Sequence, residues 1–99
     1  MVLATFPDET AADKVLTGLL EGHLAACVQI MPIQSAYRWK GEVQRWSEIL
    51  MMIKTSTARY PEVEAFIRSQ HAYEVPEIIR LPIADGFEGY LRWIDTESK

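Results

Sequence analysis

One long β-hairpin is the feature of this sequence that most restricts how the chain can fold. Residues 26–55 read as two extended strands joined by a turn at residues 39–42, in which Gly41 supplies the positive φ that a tight hairpin needs. At about 3.3 Å per residue, residues 27–39 span roughly 40 Å. A compact chain of this length is only about 34 Å across. Part of the hairpin should therefore project beyond the rest of the domain.

The projecting part of the hairpin is rich in large apolar side chains. They are Ile33, Tyr37, Trp39, Val43 and Trp46. Each is worth about 1.5 to 3 kcal/mol when buried, so leaving them in water would create a patch of the kind that marks an interaction surface. A chain this short also buries only about 60 to 68% of its unfolded surface by itself. We therefore interpret the hairpin as an arm that assembles copies of the chain.

The composition indicates one domain, residues 1–99, and argues against nucleic acid as a partner. Apolar residues make up 48% of the chain and charged residues 24%, which is typical of a globular domain. The net charge is −4, and no stretch gathers Lys and Arg into the basic face that general nucleic-acid binding needs.

The sequence also predicts a cytoplasmic protein without a membrane segment. Cys27 is the only cysteine, so no internal disulfide can form, and this suits a reducing compartment. Residues 1–6 are a short apolar run followed at once by Pro7, without the basic region or cleavage site of an export signal. No run of about 18 apolar residues could span a bilayer.

The order of elements predicts an α+β fold of the ferredoxin-like type, with strands and helices in the order βαββαβ and an extra C-terminal helix. Two right-handed βαβ-like halves give a four-stranded antiparallel sheet with helices on one face. Strands are expected at 2–6, in the two arms of the hairpin and at 78–83, and helices from about 8 to 22, 56 to 70 and 87 to 95.

The hairpin strands carry two further signals. The run 49–53 is continuously apolar, which predicts a strand buried on both faces in the middle of the sheet. In the first arm, apolar residues change phase, from even positions such as Val28 and Ile30 to odd positions such as Ile33 and Tyr37. A bulge or bend near residues 31–32 would restore a single apolar face, because proline is found in strands mainly at edges and bulges.

Cys27 is the first candidate metal ligand. Nearby methionines along the hairpin would complete a thiolate and thioether site of the kind that Cu(I) prefers, although methionines in a central strand usually fill the core. The methionines are Met31, Met51 and Met52. Antiparallel counting from the turn places Cys27 close to Lys54, whose ammonium group would favour the thiolate. Lys54 could equally reach solvent at the strand end.

A second group of candidate ligands follows the second helix. It consists of His71, Tyr73, Glu74 and Glu77. Imidazole and carboxylates suit Zn²⁺ or Cu²⁺, but a histidine just past a helix also caps carbonyl groups. Specific metal spacings such as CxxC or HExxH are absent, and so are motifs of hydrolases and kinases, so we expect a binding protein and not an enzyme. Trp39 could stack on a planar ligand or pack into a neighbouring subunit.

Five segments in order resemble the CutA family of divalent-cation tolerance proteins. They are Leu24-Ala25-Ala26-Cys27-Val28, Tyr37-Arg38-Trp39-Lys40-Gly41, Ile53-Lys54-Thr55, His71-Ala72-Tyr73-Glu74-Val75-Pro76-Glu77 and Tyr90-Leu91-Arg92-Trp93-Ile94. The resemblance covers essentially the whole chain. It implies a ferredoxin-like subunit that forms a homotrimer through hairpin strands 26–55, in an assembly similar to that of the PII nitrogen-signalling proteins.

The resemblance also implies a function and a site. It implies a link to tolerance of copper and other divalent metal ions, and a cleft between subunits. The matching positions are Cys27, Trp39, Lys54, His71, Tyr73, Glu74 and Glu77. The sequence departs from the family pattern at Ala72, where the family commonly has proline, and this change could loosen the approach to Tyr73.

Three functional hypotheses follow from these residues. The leading one is a trimeric protein that binds copper or another divalent cation through Cys27, His71, Glu74 and Glu77, with Trp39, Lys54 and Tyr73 lining the ligand cleft. The first alternative is a PII-like signalling trimer that binds a small anionic ligand through Lys54 and Arg38. The second is a structural scaffold without a ligand.

Overall fold

Four strands, three α-helices and a short 3-10 helix make up the fold in the computed structural model, which describes residues 1–99. The elements are β1 (Val2–Phe6), α1 (Glu9–Glu21), β2 (Cys27–Trp39), β3 (Glu42–Lys54), the 3-10 turn (Thr57–Arg59), α2 (Tyr60–Gln70), β4 (Ile78–Arg80) and α3 (Glu88–Glu97). The strands form one antiparallel sheet in the order β2-β3-β1-β4. The predicted ferredoxin-like α+β fold with an additional C-terminal helix is therefore confirmed. None of the helices is long and apolar enough to cross a membrane.

Helix α1 begins and ends where its sequence predicts. The Asp8 carboxylate accepts a hydrogen bond of 2.8 Å from the Ala11 N–H, which satisfies one of the free donors of the first turn. At the other end, the Gly22 N–H donates to the Gly18 carbonyl at 3.0 Å. The buried side of α1 consists of Ala12, Val15 and Leu19, which pack on the sheet together with α2.

The hydrophobic core lies between α1, α2 and one face of the sheet. Even-numbered residues of β1 and odd-numbered residues of β3 lie opposite each other on this face. The core consists of Val2, Ala4, Phe6, Ala12, Val15, Leu19, Ala25, Ile49, Met51, Ile53, Val63 and Ile67. Because the side chains of a strand alternate between faces, the other residues of β1 and β3 point away from these helices.

The hairpin projects, as its length predicts. Strand pairing runs without interruption from Cys27 opposite Lys54 to Trp39 opposite Glu42, and the molecule measures 44 × 26 × 21 Å. Both turn residues have positive φ, 52° at Lys40 and 81° at Gly41. This conformation matches the right-handed twist of the paired strands. The turn therefore sets the register of the entire arm.

The predicted bulge near residues 31–32 is wrong, because the strand register is continuous through Pro32. Val28 and Ile30 pack against the core beneath the helices. Ile33 and Tyr37 lie on the opposite face of the sheet, since odd residues of β2 pair with even residues of β3. The phase change in the sequence thus marks a change in which face of the strand is apolar, without a change in its path.

Strand β4 is shorter than predicted, since it ends at Arg80 and not at Ile83. It lies at the sheet edge and pairs only with the five-residue strand β1, so little backbone is available to extend it. The Leu81 N–H still donates to the Met1 carbonyl at 2.8 Å, but Pro82 has no N–H to continue the ladder. Residues 82–87 then connect to α3 without regular structure.

The sheet face that points away from α1 and α2, which we call the open face, keeps much of its apolar surface in contact with water. Leu50 and Met52 are half-buried there, so the predicted burial of run 49–53 on both faces is only partly achieved within one chain. Farther out, 45% of Met31 and 52% of Trp46 are exposed. Contiguous apolar surface of this kind marks an interaction site.

Candidate functional site

A cleft of about 690 Å³ lies between the outer half of the hairpin and the segment 71–77. Its volume is in the range of small-molecule sites, about 300 to 1,000 Å³. The lining includes Tyr37, Trp39, Trp46, Glu48, Tyr73, Glu74 and Glu77. Four of the predicted site residues, Trp39, Tyr73, Glu74 and Glu77, are therefore brought together here.

His71 fastens the segment 71–77 to the sheet. Its Nε2 lies 2.6 Å from the Thr5 carbonyl oxygen, and its Nδ1 accepts a hydrogen bond of 3.1 Å from the Tyr73 N–H. A carbonyl can only accept and a backbone N–H can only donate, so this ring is the neutral tautomer with its proton on Nε2. The ring also stacks on Phe6 at a centroid distance of 4.8 Å. In this arrangement neither nitrogen is free for a metal ion.

Tyr73 connects the same segment to a buried carboxylate. Its hydroxyl donates to Glu48 Oε2 at 2.9 Å, and only 6% of Glu48 is exposed. Desolvation, followed by the hydrogen bond and the charge of Glu48, raises the pKa of the Tyr73 phenol well above its usual value. Tyr73 therefore remains a proton donor throughout the physiological pH range.

Sequence reasoning missed Glu48. The sequence did contain a sign of its role, because Glu48 is a charged residue directly before the apolar run 49–53. Side chains alternate between the faces of a strand, so Glu48 lies on the same face as Leu50 and Met52. A charge on a largely apolar strand face needs a partner, because burying an unpaired carboxylate is costly. That partner, Tyr73, lies 25 residues farther along the chain.

Removing the Tyr73 hydroxyl tests how much this hydrogen bond contributes to stability. Tyr73→Phe should lower the free energy of unfolding by about 1 to 3 kcal/mol, because the buried Glu48 carboxylate loses its donor. Urea denaturation monitored by circular dichroism measures the difference. Tyr37→Phe is the matched control, since that hydroxyl lies on the same cleft but has no hydrogen-bond partner within the chain. Equal losses in the two variants would contradict the assigned role.

Glu74 and Glu77 lie at the rim of the cleft. Both side chains are exposed, and neither takes part in any of the three salt bridges of the chain. Ala72 also lines the cleft where the family resemblance leads us to expect proline. The contacts of His71 and Tyr73 hold this segment on the sheet without that proline.

Cys27 and Lys54 lie at the base of the hairpin, directly opposite each other as predicted. The Lys54 ammonium donates to Gln29 Oε1 at 2.6 Å, and Cys27 is half-buried. Desolvation, followed by the influence of the nearby Cys27 thiol, raises the pKa of the Tyr90 phenol of α3 above its usual value.

The base of the hairpin is separate from the cleft. Thr5, which contacts His71, lies opposite Leu50, and Leu50 lies opposite Met31. Cys27 is four residues before Met31, about 13 Å away along the strand. Within one chain, Cys27 and His71 therefore belong to different parts of the sheet.

The chain alone does not gather a metal centre. No three side chains of His, Cys, Asp or Glu lie close enough to hold an ion. Met51 is fully buried in the core, on the face opposite Cys27, so it acts as core filler. Joint ligation by Cys27, Glu74 and Glu77 stays a prediction that requires a second copy of the chain. Ligation by His71 stays a prediction that also requires its ring to leave Thr5 and Tyr73.

The cleft carries a negative charge without a compensating cation. Three carboxylates line it, from Glu48, Glu74 and Glu77, and no Lys or Arg does. Arg38 lies on the opposite face of β2, because it is an even-numbered residue of that strand. Since Lys54 is at the hairpin base, the structure gives no support to an anionic ligand in this cleft. The arrangement instead suits a cation.

Comparisons with known proteins agree on one family. The family model described as "CutA1 divalent ion tolerance protein" matches residues 1–97. The divalent-cation tolerance protein CutA of Thermus thermophilus is 44% identical over 95 residues, covering 95% of this chain and 92% of that protein. The mouse protein CutA is 45% identical over 97 residues, but this chain spans only 55% of its length.

Solved structures of this family have the same fold as this chain. The structure described as the periplasmic divalent cation tolerance protein CutA of Archaeoglobus fulgidus superimposes with a TM-score of 0.96. The sequence identity is 35%, and the match covers 99% of this chain and 96% of that one. The fold, including its projecting hairpin, is thus shared over nearly the full length.

Proposed function

The chain belongs to the CutA1 family of divalent ion tolerance proteins, and from this premise we propose that it is a homotrimer that binds divalent cations. The observation that carries the proposal is the acidic cleft, which has three carboxylates and no Lys or Arg. We further propose a binding role and not an enzymatic one, because Cys27 and His71 are too far apart to act as nucleophile and base.

The long hairpin supports assembly through its edge. Strand β2 is the outermost strand of the sheet, so thirteen residues present one row of unpaired backbone groups. Such an edge pairs readily with a strand from another chain. Association with another copy of the chain would also cover the half-buried apolar residues of the open face.

Glu74 and Glu77 are the ligands that this chain most readily offers. Their carboxylates are exposed and free of salt bridges, and carboxylate oxygens bind divalent metal ions. Because one chain does not assemble three donors, we propose that a second copy completes the site. Cys27 is a candidate donor only from such a neighbouring copy, and His71 would position the ligand segment without binding the ion.

Calorimetric titration with Cu²⁺ and with Zn²⁺ tests this proposal. The wild type should show saturable binding, and Glu74→Gln combined with Glu77→Gln should weaken it by at least about tenfold, equivalent to about 1.4 kcal/mol. The matched control is Glu9→Gln combined with Glu21→Gln, which removes the same charge from exposed positions near the two ends of α1. The control should bind the ions as the wild type does.

Several outcomes would contradict the proposal. If the wild type shows no saturable binding tighter than about millimolar, the proposal that the protein binds divalent cations is wrong. Equal weakening in the control would show that only net charge matters. Titration of Cys27→Ala gives a further result, because unchanged affinity for Cu²⁺ would exclude the thiol as a ligand.

A further inference from the structure

A second cavity, of about 190 Å³, lies at the end of the sheet away from the hairpin tip, between β4 and α3. Its floor is inside the domain, because it is lined by Val2, Thr55 and Ile94, of which at most 7% is exposed. None of its lining residues belongs to β2 or β3. We propose that this cavity binds a small zwitterionic amino acid.

A cation and an anion face this cavity from different elements. Arg80 is the last residue of β4, and Asp95 lies in α3. Both line the cavity, and neither takes part in any of the three salt bridges of the chain. The other charged group here, the Met1 amino group, already donates to the Leu81 carbonyl oxygen at 3.0 Å. Each member of the Arg80 and Asp95 pair is therefore free to bind a charged group of a ligand.

The strand register and the helix spacing direct these two side chains into the cavity. Arg80 lies opposite Val2 in the ladder, so its side chain is on the core side of the sheet and not on the open face. Asp95 follows Leu91 by four residues, a spacing that places both on one side of α3. Leu91 also lines the cavity. The charged pair therefore does not depend on the face that other copies are proposed to cover.

Hydrogen bonds hold the two walls of the cavity in place. At the end of α3, the Ser98 hydroxyl accepts from the Ser56 N–H at 3.1 Å, and the Ser98 carbonyl accepts from Arg59 Nε at 3.2 Å. After β4, the Leu81 N–H donates to the Met1 carbonyl at 2.8 Å. A ligand therefore does not have to order these walls when it binds, which lowers the entropic cost of binding.

The size and the lining of the cavity define the class of ligand. Its volume equals that of about six water molecules, which is below the range of about 300 to 1,000 Å³ for drug-sized ligands. A ligand carboxylate would form two parallel hydrogen bonds with the Arg80 guanidinium, and a ligand ammonium group would bind Asp95. A short apolar side chain would pack on the apolar wall. This wall consists of Leu81, Pro82, Ile83 and Leu91.

L-Valine is the probe for this proposal. The full-length assembled protein is titrated calorimetrically with L-valine and with two molecules of the same shape that each lack one charge, isobutylamine and isovalerate. Valine should show saturable binding with a dissociation constant of about 1 mM or lower. Each of the other two should bind at least about tenfold more weakly, because one member of the charged pair is left without a partner.

Four variants separate the site from general electrostatics. Arg80→Gln and Asp95→Asn should each weaken valine binding by about tenfold or more. Both positions are exposed, so the variants should keep the far-ultraviolet circular dichroism spectrum of the wild type. Lys14→Gln and Asp85→Asn remove the same charges from exposed positions outside the cavity. These controls should change the affinity less than about twofold.

The proposal is overturned by a wild type that does not saturate with valine, by equal binding of isobutylamine or isovalerate, or by equal weakening in the controls. Amide chemical shifts of the ¹⁵N-labelled protein give an independent readout, and the largest changes are expected at Leu81 and Asp95. If they occur at Tyr73 and Glu74 instead, the ligand binds in the acidic cleft and this site is wrong. The result does not depend on divalent-cation binding, since neither Arg80 nor Asp95 lines that cleft.

Discussion

Leu50→Asp is expected to separate the assembled protein into single folded chains. Leu50 is half-buried at the centre of the open face, opposite Met31 on one side and Thr5 on the other. If other copies cover this face, the variant places an unpaired carboxylate in an apolar interface, at a cost of about 3 to 5 kcal/mol. The dissociation constant of the assembly should rise about a thousandfold.

Light scattering coupled to size-exclusion chromatography measures this change directly. The wild type should have three times the mass of the chain, and Leu50→Asp the mass of one chain, with an unchanged far-ultraviolet circular dichroism spectrum. Thr17→Asp introduces the same charge at an exposed position of α1 and should leave the trimer intact. A wild type that is monomeric, or a Leu50→Asp variant that stays trimeric, would contradict assembly through the open face.

Phe6→Ala should cause a large loss of stability. Only 1% of Phe6 is exposed, and its ring contacts both the core and the His71 ring. Truncation of a buried phenylalanine lowers the free energy of unfolding by about 3 to 5 kcal/mol, since it removes buried surface and leaves a cavity. The segment 71–77 should also become more mobile, because His71 loses the ring on which it stacks.

Urea denaturation at one fixed protein concentration gives the stability difference, because unfolding of an oligomer depends on concentration. Leu20→Ala is the control, since it removes a similar apolar side chain that is 38% exposed on α1. It should cost less than about 1 kcal/mol. Hydrogen exchange at the Tyr73 amide, which donates to His71, reports the loosening of the segment. Similar losses in both variants would place Phe6 outside the core.

The hairpin shows how far local sequence information reaches. The two-residue turn with Gly41 sets the pairing of the whole hairpin, and this is why Cys27 lies opposite Lys54 as predicted. The predicted bulge near residues 31–32 failed for a related reason. Alternation identifies the apolar face of each segment, but it does not tell a bulge from a strand whose inner and outer halves are apolar on opposite faces.

The candidate site was predicted only in part. Residues 71–77 are close together in sequence, so Tyr73, Glu74 and Glu77 were identifiable as a group. The role of His71 was not, because it depends on Thr5, which is 66 residues away along the chain. The same holds for Glu48, whose partner Tyr73 comes from a different element.

The sequence by itself determined the order of the elements, the central position of β3, the register of the hairpin and the membership of the CutA1 family. These properties depend on turn residues, periodicity and ordered motifs, all of which are local features of the sequence. The tertiary structure decided which candidates share a cleft, that both His71 nitrogens are occupied, and that no metal centre forms within one chain. Contacts between residues far apart in the chain produce these properties, and no local pattern encodes them.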